Sequence, residues 1–105
     1  MWADVEKTAG GFTGEMDDAA SELIQQFGEQ IRAADGDIYT AQVFGTPRAD
    51  GTWEGWIEFR PAEGPGRTLR TGRETTQPDR DALAYWASGL EPLYFDGALA
   101  RARAS

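Results

Sequence analysis

The sequence predicts an α+β domain: an N-terminal helix, a three-stranded antiparallel meander, then one or two C-terminal helices on one face of the sheet, αβββα-like. Three observations carry this reading. Apolar residues recur at spacings of three and four near both ends of the chain, residues in the middle alternate with period two, and short connections rich in Gly and Pro separate the alternating runs.

Residues 1–14, MWADVEKTAGGFTG, read as a flexible leader ahead of one domain over 15–105. Trp2 and Phe12 temper that reading, because a wholly disordered tail rarely carries two aromatics; both are suited to docking on the domain or on a partner. Met16, Ala20, Leu23, Ile24, Phe27, Ile31 and Ala34 form one apolar stripe and predict an amphipathic helix over 16–34. Asp17 and Asp18 favour the positive end of its dipole. Gly28 weakens it by about 1 kcal/mol relative to Ala. ADGD at 34–37 ends it, with Gly36 as C-cap.

IYTAQVF (38–44), TWEGWIEFR (52–60) and RTLRTG (67–72) predict three strands, joined by GTPRADG (45–51) and PAEGPG (61–66). Connections this short favour antiparallel neighbours. Thr76 is placed to cap the next helix, with Pro78 in its first turn and Asp79 three residues after the cap. Leu83, Trp86, Ala87 and Leu90 make its inner face, and Gly89 and Pro92 stop it. Tyr94, Phe95, Ala98, Leu99 and Ala102 share one side of a last helix over 93–104.

A chain of 105 residues is the length of one domain and leaves little room for a deep ligand cavity. Net charge is −8, concentrated in the first half; such a field opposes nucleic-acid phosphates unless the arginines gather on one face. The chain has no Cys and no His, which removes disulfides, thiolate metal sites and the usual general base. No apolar run reaches membrane-spanning length and no secretory apolar core follows Met1, so the expected setting is a bacterial cytoplasm with no membrane partner.

Alternation in 52–60 places Trp53, Gly55, Ile57 and Phe59 on the core face and Glu54, Trp56, Glu58 and Arg60 on the other. Leu69 then joins the core, and Arg70 turns outward beside Trp56, a pairing worth about 0.5–2 kcal/mol. This surface is suited to docking; the bland alternative is that the last helix or the leader covers Trp56. Arg70, Arg73 and Arg80 are poised to converge on an anion at the helix start, against which Glu74, Asp79 and Asp81 offer pairing partners. The carboxylate pairs Glu54/Glu58, Asp17/Asp18 and Asp35/Asp37 read as a solvated face. DGD at 35–37 lacks the ligand spacing of a calcium loop, and no cofactor motif is present.

The helix–three-strand–helix order resembles the double-stranded-RNA-binding domain in topology alone; the start of the last helix reads QPDRDAL where those domains are lysine-rich. DGTWEGWIEFRP, LRTGRETTQPDR and LAYWASGLEPLYFDGALARA resemble a set of small uncharacterised bacterial proteins over residues 38–104, a likeness that implies no activity.

The expected function is a non-enzymatic interaction module, an adaptor, accessory subunit or small regulator that binds a protein partner or a second copy of itself, with no cofactor. Trp, Tyr and Arg dominate interface hot spots, so the candidate partner-binding residues are Trp56, Arg70, Arg73, Tyr85 and Tyr94, with Trp86 the member of this group closest to the core. The alternative is a regulator that binds or mimics nucleic acid, although nucleic acid is not the expected partner; a small-ligand binder ranks last.

Overall fold

The computed structural model describes residues 21–104. Among these residues five strands and two helices follow one another: β1 (Glu22–Arg32), β2 (Ile38–Pro47), β3 (Trp53–Pro61), β4 (Leu69–Arg70), β5 (Thr75–Gln77), α1 (Arg80–Ser88) and α2 (Pro92–Ala104). The class is α+β as expected, with an antiparallel sheet and two C-terminal helices. The leader over 1–14 lies outside the described residues.

The first element is corrected from helix to strand. Among the described strands β1 lies at the sheet edge, and it pairs antiparallel with β2 from Glu22↔Gly45 to Arg32↔Ile38, with two irregularities, one between Leu23 and Gln25 and one between Gln26 and Gln30. Each irregularity inserts residues into β1 without a matching insertion in β2, so the side-chain period shifts locally. Ile24, Phe27 and Ile31 all reach the core as a result. Their spacings of three and four imitate a helix turn, which is why periodicity misleads here. Residues 16–20 of the expected helix lie outside the described residues. Among the described residues the first element is a strand, so the helix expected at 21–34 and the αβββα order built on it do not hold there.

ADG also changes role. It occurs at 34–36 and again at 49–51, and both copies are three-residue hairpin loops. In the first, Gly36 N–H donates to Ala33 C=O and Ala33 N–H to Asp37 C=O; in the second, Gly51 donates to Arg48 and Arg48 to Thr52. The glycines take φ of 95° and 91°, the left-handed step such loops need. Each Asp turns its carboxylate back on the chain: Asp35 accepts from Asp37 N–H at 3.0 Å, and Asp50 from Thr52 N–H at 2.9 Å and from its hydroxyl at 2.6 Å. Gly36 is therefore a hairpin residue, not a helix cap.

Besides β1, the expected meander gains one strand because residues 69–77 form one interrupted edge. β4 pairs with β3 through Glu58↔Arg70 and Phe59↔Leu69, and β5 pairs further along β3 through Trp53↔Gln77, Glu54↔Thr76 and Gly55↔Thr75. Thr71 mends the gap. It is 4% exposed, and its hydroxyl accepts from Ile57 N–H at 3.1 Å while donating to Gly72 C=O at 2.7 Å. Thr76 thus belongs to a strand, and the α1 cap is Asp79, whose carboxylate accepts from Ala82 N–H at 2.8 Å.

Both helices cover one face of the sheet. Phe95, Ala98, Leu99 and Ala102 of α2 and Ala87 of α1 share a core with Tyr39, Ala41, Val43, Ile57 and Phe59. Phe27 meets Phe95 edge-on, centroids 4.8 Å apart. Leu83 is fully buried over the two glycines of adjacent strands. A Cβ on Gly45 would lie 2.3 Å from Leu83 Cδ2, and one on Gly55 2.7 Å from Cδ1, so the missing side chains make room for this leucine.

Candidate functional site

The expected site residues divide between two surfaces. Trp56, Arg70 and Arg73 belong to the sheet face away from the helices; Tyr85 and Tyr94 belong to the α1–α2 corner.

Alternation along β3 sends Ile57 and Phe59 to the core and the even-numbered residues outward, as expected. Phe44 of β2 pairs with Trp56 of β3 and with Leu23 of β1, forming an apolar row across the outer face. The Phe44 and Trp56 rings stack at 6.4 Å with a 15° interplanar angle, and the Arg70 guanidinium lies 4.2 Å from the indole centroid. Trp56 Nε1–H donates to Glu58 Oε2 at 3.3 Å. The indole is only 4% exposed even though α1 and α2 pack on the other face, so the last helix is not its cover. In the next row Gln42, paired with Glu58, is 9% exposed. Arg60 approaches Glu58 at 3.9 Å, and Arg48 and Arg73 approach Glu54 at 3.2 and 4.0 Å.

At the helical corner Tyr85 is 82% and Leu93 81% exposed, and the Tyr94 ring, 37% exposed, meets the half-buried Trp86 edge-on at 6.1 Å. Glu74 fixes this ring. One carboxylate oxygen, Oε1, accepts from the Tyr94 hydroxyl at 2.5 Å and from Arg101 Nη2 at 2.5 Å. The Arg101 guanidinium also lies 5.8 Å from the Tyr94 ring centroid. Burial of the phenol, and then its bond to the Glu74 carboxylate, push the Tyr94 pKa up to about 12. The irregularity at 71–74 makes the arrangement possible, because Arg73 reaches Glu54 on the outer face while the adjacent Glu74 reaches the helices.

Arg70, Arg73 and Arg80 do not converge. Arg70 lies on Trp56, Arg73 pairs with Glu54, and Arg80 pairs with Glu22 at the far edge of the sheet. The partners are Glu54 and Glu22 rather than Glu74 and Asp79, which are occupied with Tyr94 and the helix cap. Among the described residues no cluster of three acids is placed to hold a metal, and no helix is long and apolar enough to cross a membrane. A surface hollow of about 500 Å³ lies between Arg32, Ala33, Asp96, Leu99 and Arg103; Arg103 is already bound to Asp35 and to the Tyr39 hydroxyl.

Leu93 escaped the sequence reading, although a signal was present: it sits beside Pro92 and off the Phe95–Ala98–Leu99–Ala102 stripe, where an apolar residue has no core to enter. Glu74 and Arg101 as the holders of Tyr94 required the tertiary structure. No family model, curated protein or solved structure matches the chain.

Proposed function

We propose that the chain is a non-enzymatic protein-interaction module, an adaptor, accessory subunit or small regulator, whose contact surface is the α1–α2 corner. One observation carries this reading: Tyr85 of α1 and Leu93 of α2 present large apolar side chains to solvent at 82% and 81% exposure, and next to Leu93 in the chain is a tyrosine held in place by Glu74 and Arg101. Exposed aromatic and aliphatic side chains of this size are interface material, and a ring already fixed loses little further freedom on binding. Of the other expected contact residues, Arg73 borders the corner through its neighbour Glu74, whereas Trp56, 4% exposed, and Arg70 lie on the sheet face away from the helices.

The test is quantitative capture from extracts of the source cell by the intact chain, comparing wild type with Tyr85→Ala/Leu93→Ala and with Glu63→Ala as a surface control. The corner variant is expected to lose a protein that wild type and control both retain, with its melting temperature unchanged. Equal capture by all three chains rules the corner out. Retention of nucleic acid in place of protein, with a steep loss on added salt, favours the nucleic-acid alternative.

A further inference from the structure

The α1–α2 corner carries an unanswered charge as well as apolar side chains. Tyr85 stands in the last turn of α1 and Leu93 in the first turn of α2, with residues 89–91 connecting the helices. The helices meet here through the Trp86 and Tyr94 rings, so both exposed side chains belong to one corner of the molecule.

Three carboxylates accompany them. Asp81 precedes Tyr85 by four residues and Asp96 follows Leu93 by three, spacings that place each acid on the same side of its helix as the apolar side chain. Glu91 lies in the connection. All three are exposed. Among the described residues no Lys or Arg lies within ion-pair distance of any of them. Arg80 is the only base between residues 79 and 96. Its guanidinium is held by Glu22, and Asp81 acts on it only at longer range. The arginines that border the corner face acids of their own: Arg101 is bound to Glu74, and Arg73 approaches Glu54.

This charge selects among occupants. A partner that covers Tyr85 and Leu93 also strips water from the neighbouring carboxylates, which is costly unless the partner brings cations to them. Phosphate-bearing surfaces, whether nucleic acid or anionic lipid, are repelled. A second copy docked corner to corner would set the same three acids against themselves.

We propose that the corner receives a basic amphipathic segment of a protein partner. An apolar side chain of that segment seats against Tyr85 and Leu93, and Lys or Arg on either side of it meet Asp81, Glu91 and Asp96. The proposal rests on the corner being the contact surface and adds the kind of partner it accepts.

The probe is a random peptide library displayed on phage, selected on the intact chain and depleted on Tyr85→Ala/Leu93→Ala. Expected are corner-dependent peptides in which Lys or Arg flanks a large apolar residue. Made synthetically, they should bind Asp81→Asn/Glu91→Gln/Asp96→Asn about tenfold more weakly than wild type. Glu29→Gln/Asp37→Asn/Glu63→Gln, which has the same net charge but an intact corner, should bind them like wild type. Corner-dependent peptides with no excess of basic residues, or with binding untouched by neutralising the three corner acids, overturn the proposal and leave the corner as a contact surface. Equal weakening by both neutralised variants also overturns it, since the attraction then belongs to the charge of the whole chain. Selection that yields no corner-dependent peptide overturns both the proposal and the reading beneath it.

Discussion

Gly45 and Gly55 matter because Leu83 occupies the space their side chains would fill. Gly45→Ala places a methyl 2.3 Å from Leu83 Cδ2 and 3.1 Å from the Glu54 carbonyl, so one of these must move. The expected cost is about 1–3 kcal/mol, measured by denaturant unfolding. Leu83→Ala alone costs about 2–5 kcal/mol. Combined, the two are expected to cost less than their sum, because the new methyl enters the space vacated by the leucine; strict additivity in that cycle would show that the two residues are not in contact. Tyr94 gives a pH signature at the same scale. Its phenol titrates at about 12 in the folded protein against 10.0 ordinarily, so the folded state holds the proton more tightly. The resulting stability is intact below pH 10 and falls as pH rises towards 12. Melting curves across that range should show a decline that Tyr94→Phe lacks, and phenolate absorbance should show one late-titrating tyrosine.

At the scale of elements, β1 shows how a local pattern can point to the wrong structure. Ile24, Phe27 and Ile31 are spaced like one face of a helix, and two bulges bring the same residues onto one face of a strand. Gly28 separates the two readings. An added Cβ there meets nothing within 4 Å, so backbone preference decides the outcome. In a strand, Gly28→Val should stabilise by up to about 1 kcal/mol and exceed Gly28→Ala; in a helix the order reverses. The two ADG loops offered a cue against the helix, since the same tripeptide closes a hairpin at 49–51, where the flanking residues alternate plainly. The broken edge at 69–77 had no comparable cue. Nothing in RTGRETTQP announces that a Thr71 hydroxyl will replace a ladder bond, because the need for it arises only once β3 lies alongside.

Across the whole molecule, the two surfaces are expected to respond differently to truncation. Trp56→Ala removes an indole that is 4% exposed and should cost about 3–5 kcal/mol. Tyr85→Ala and Leu93→Ala, at 82% and 81% exposure, should each stay within about 0.5 kcal/mol of wild type. Thermal or denaturant unfolding of the three variants checks the contrast. For the same reason Trp56 is a poor probe of partner binding, since its loss is felt first as instability. The corner residues are the cleaner probe, and they include Leu93, which the stripe of α2 leaves outside the core.

The sequence by itself determined the α+β class, β2, β3 with its inner and outer faces, helical structure at the C-terminal end, and the pairing of Arg70 with Trp56. These rest on side-chain periods, turn residues and composition, which act over a few residues and are legible locally. Only the tertiary structure decided that the first element is a strand, that residues 69–77 form a broken edge, that Arg70, Arg73 and Arg80 go to separate partners, and that Glu74 and Arg101 hold Tyr94. Each of these depends on a neighbour distant in the chain, and bulges and long-range ion pairs have no energy until that neighbour is in place.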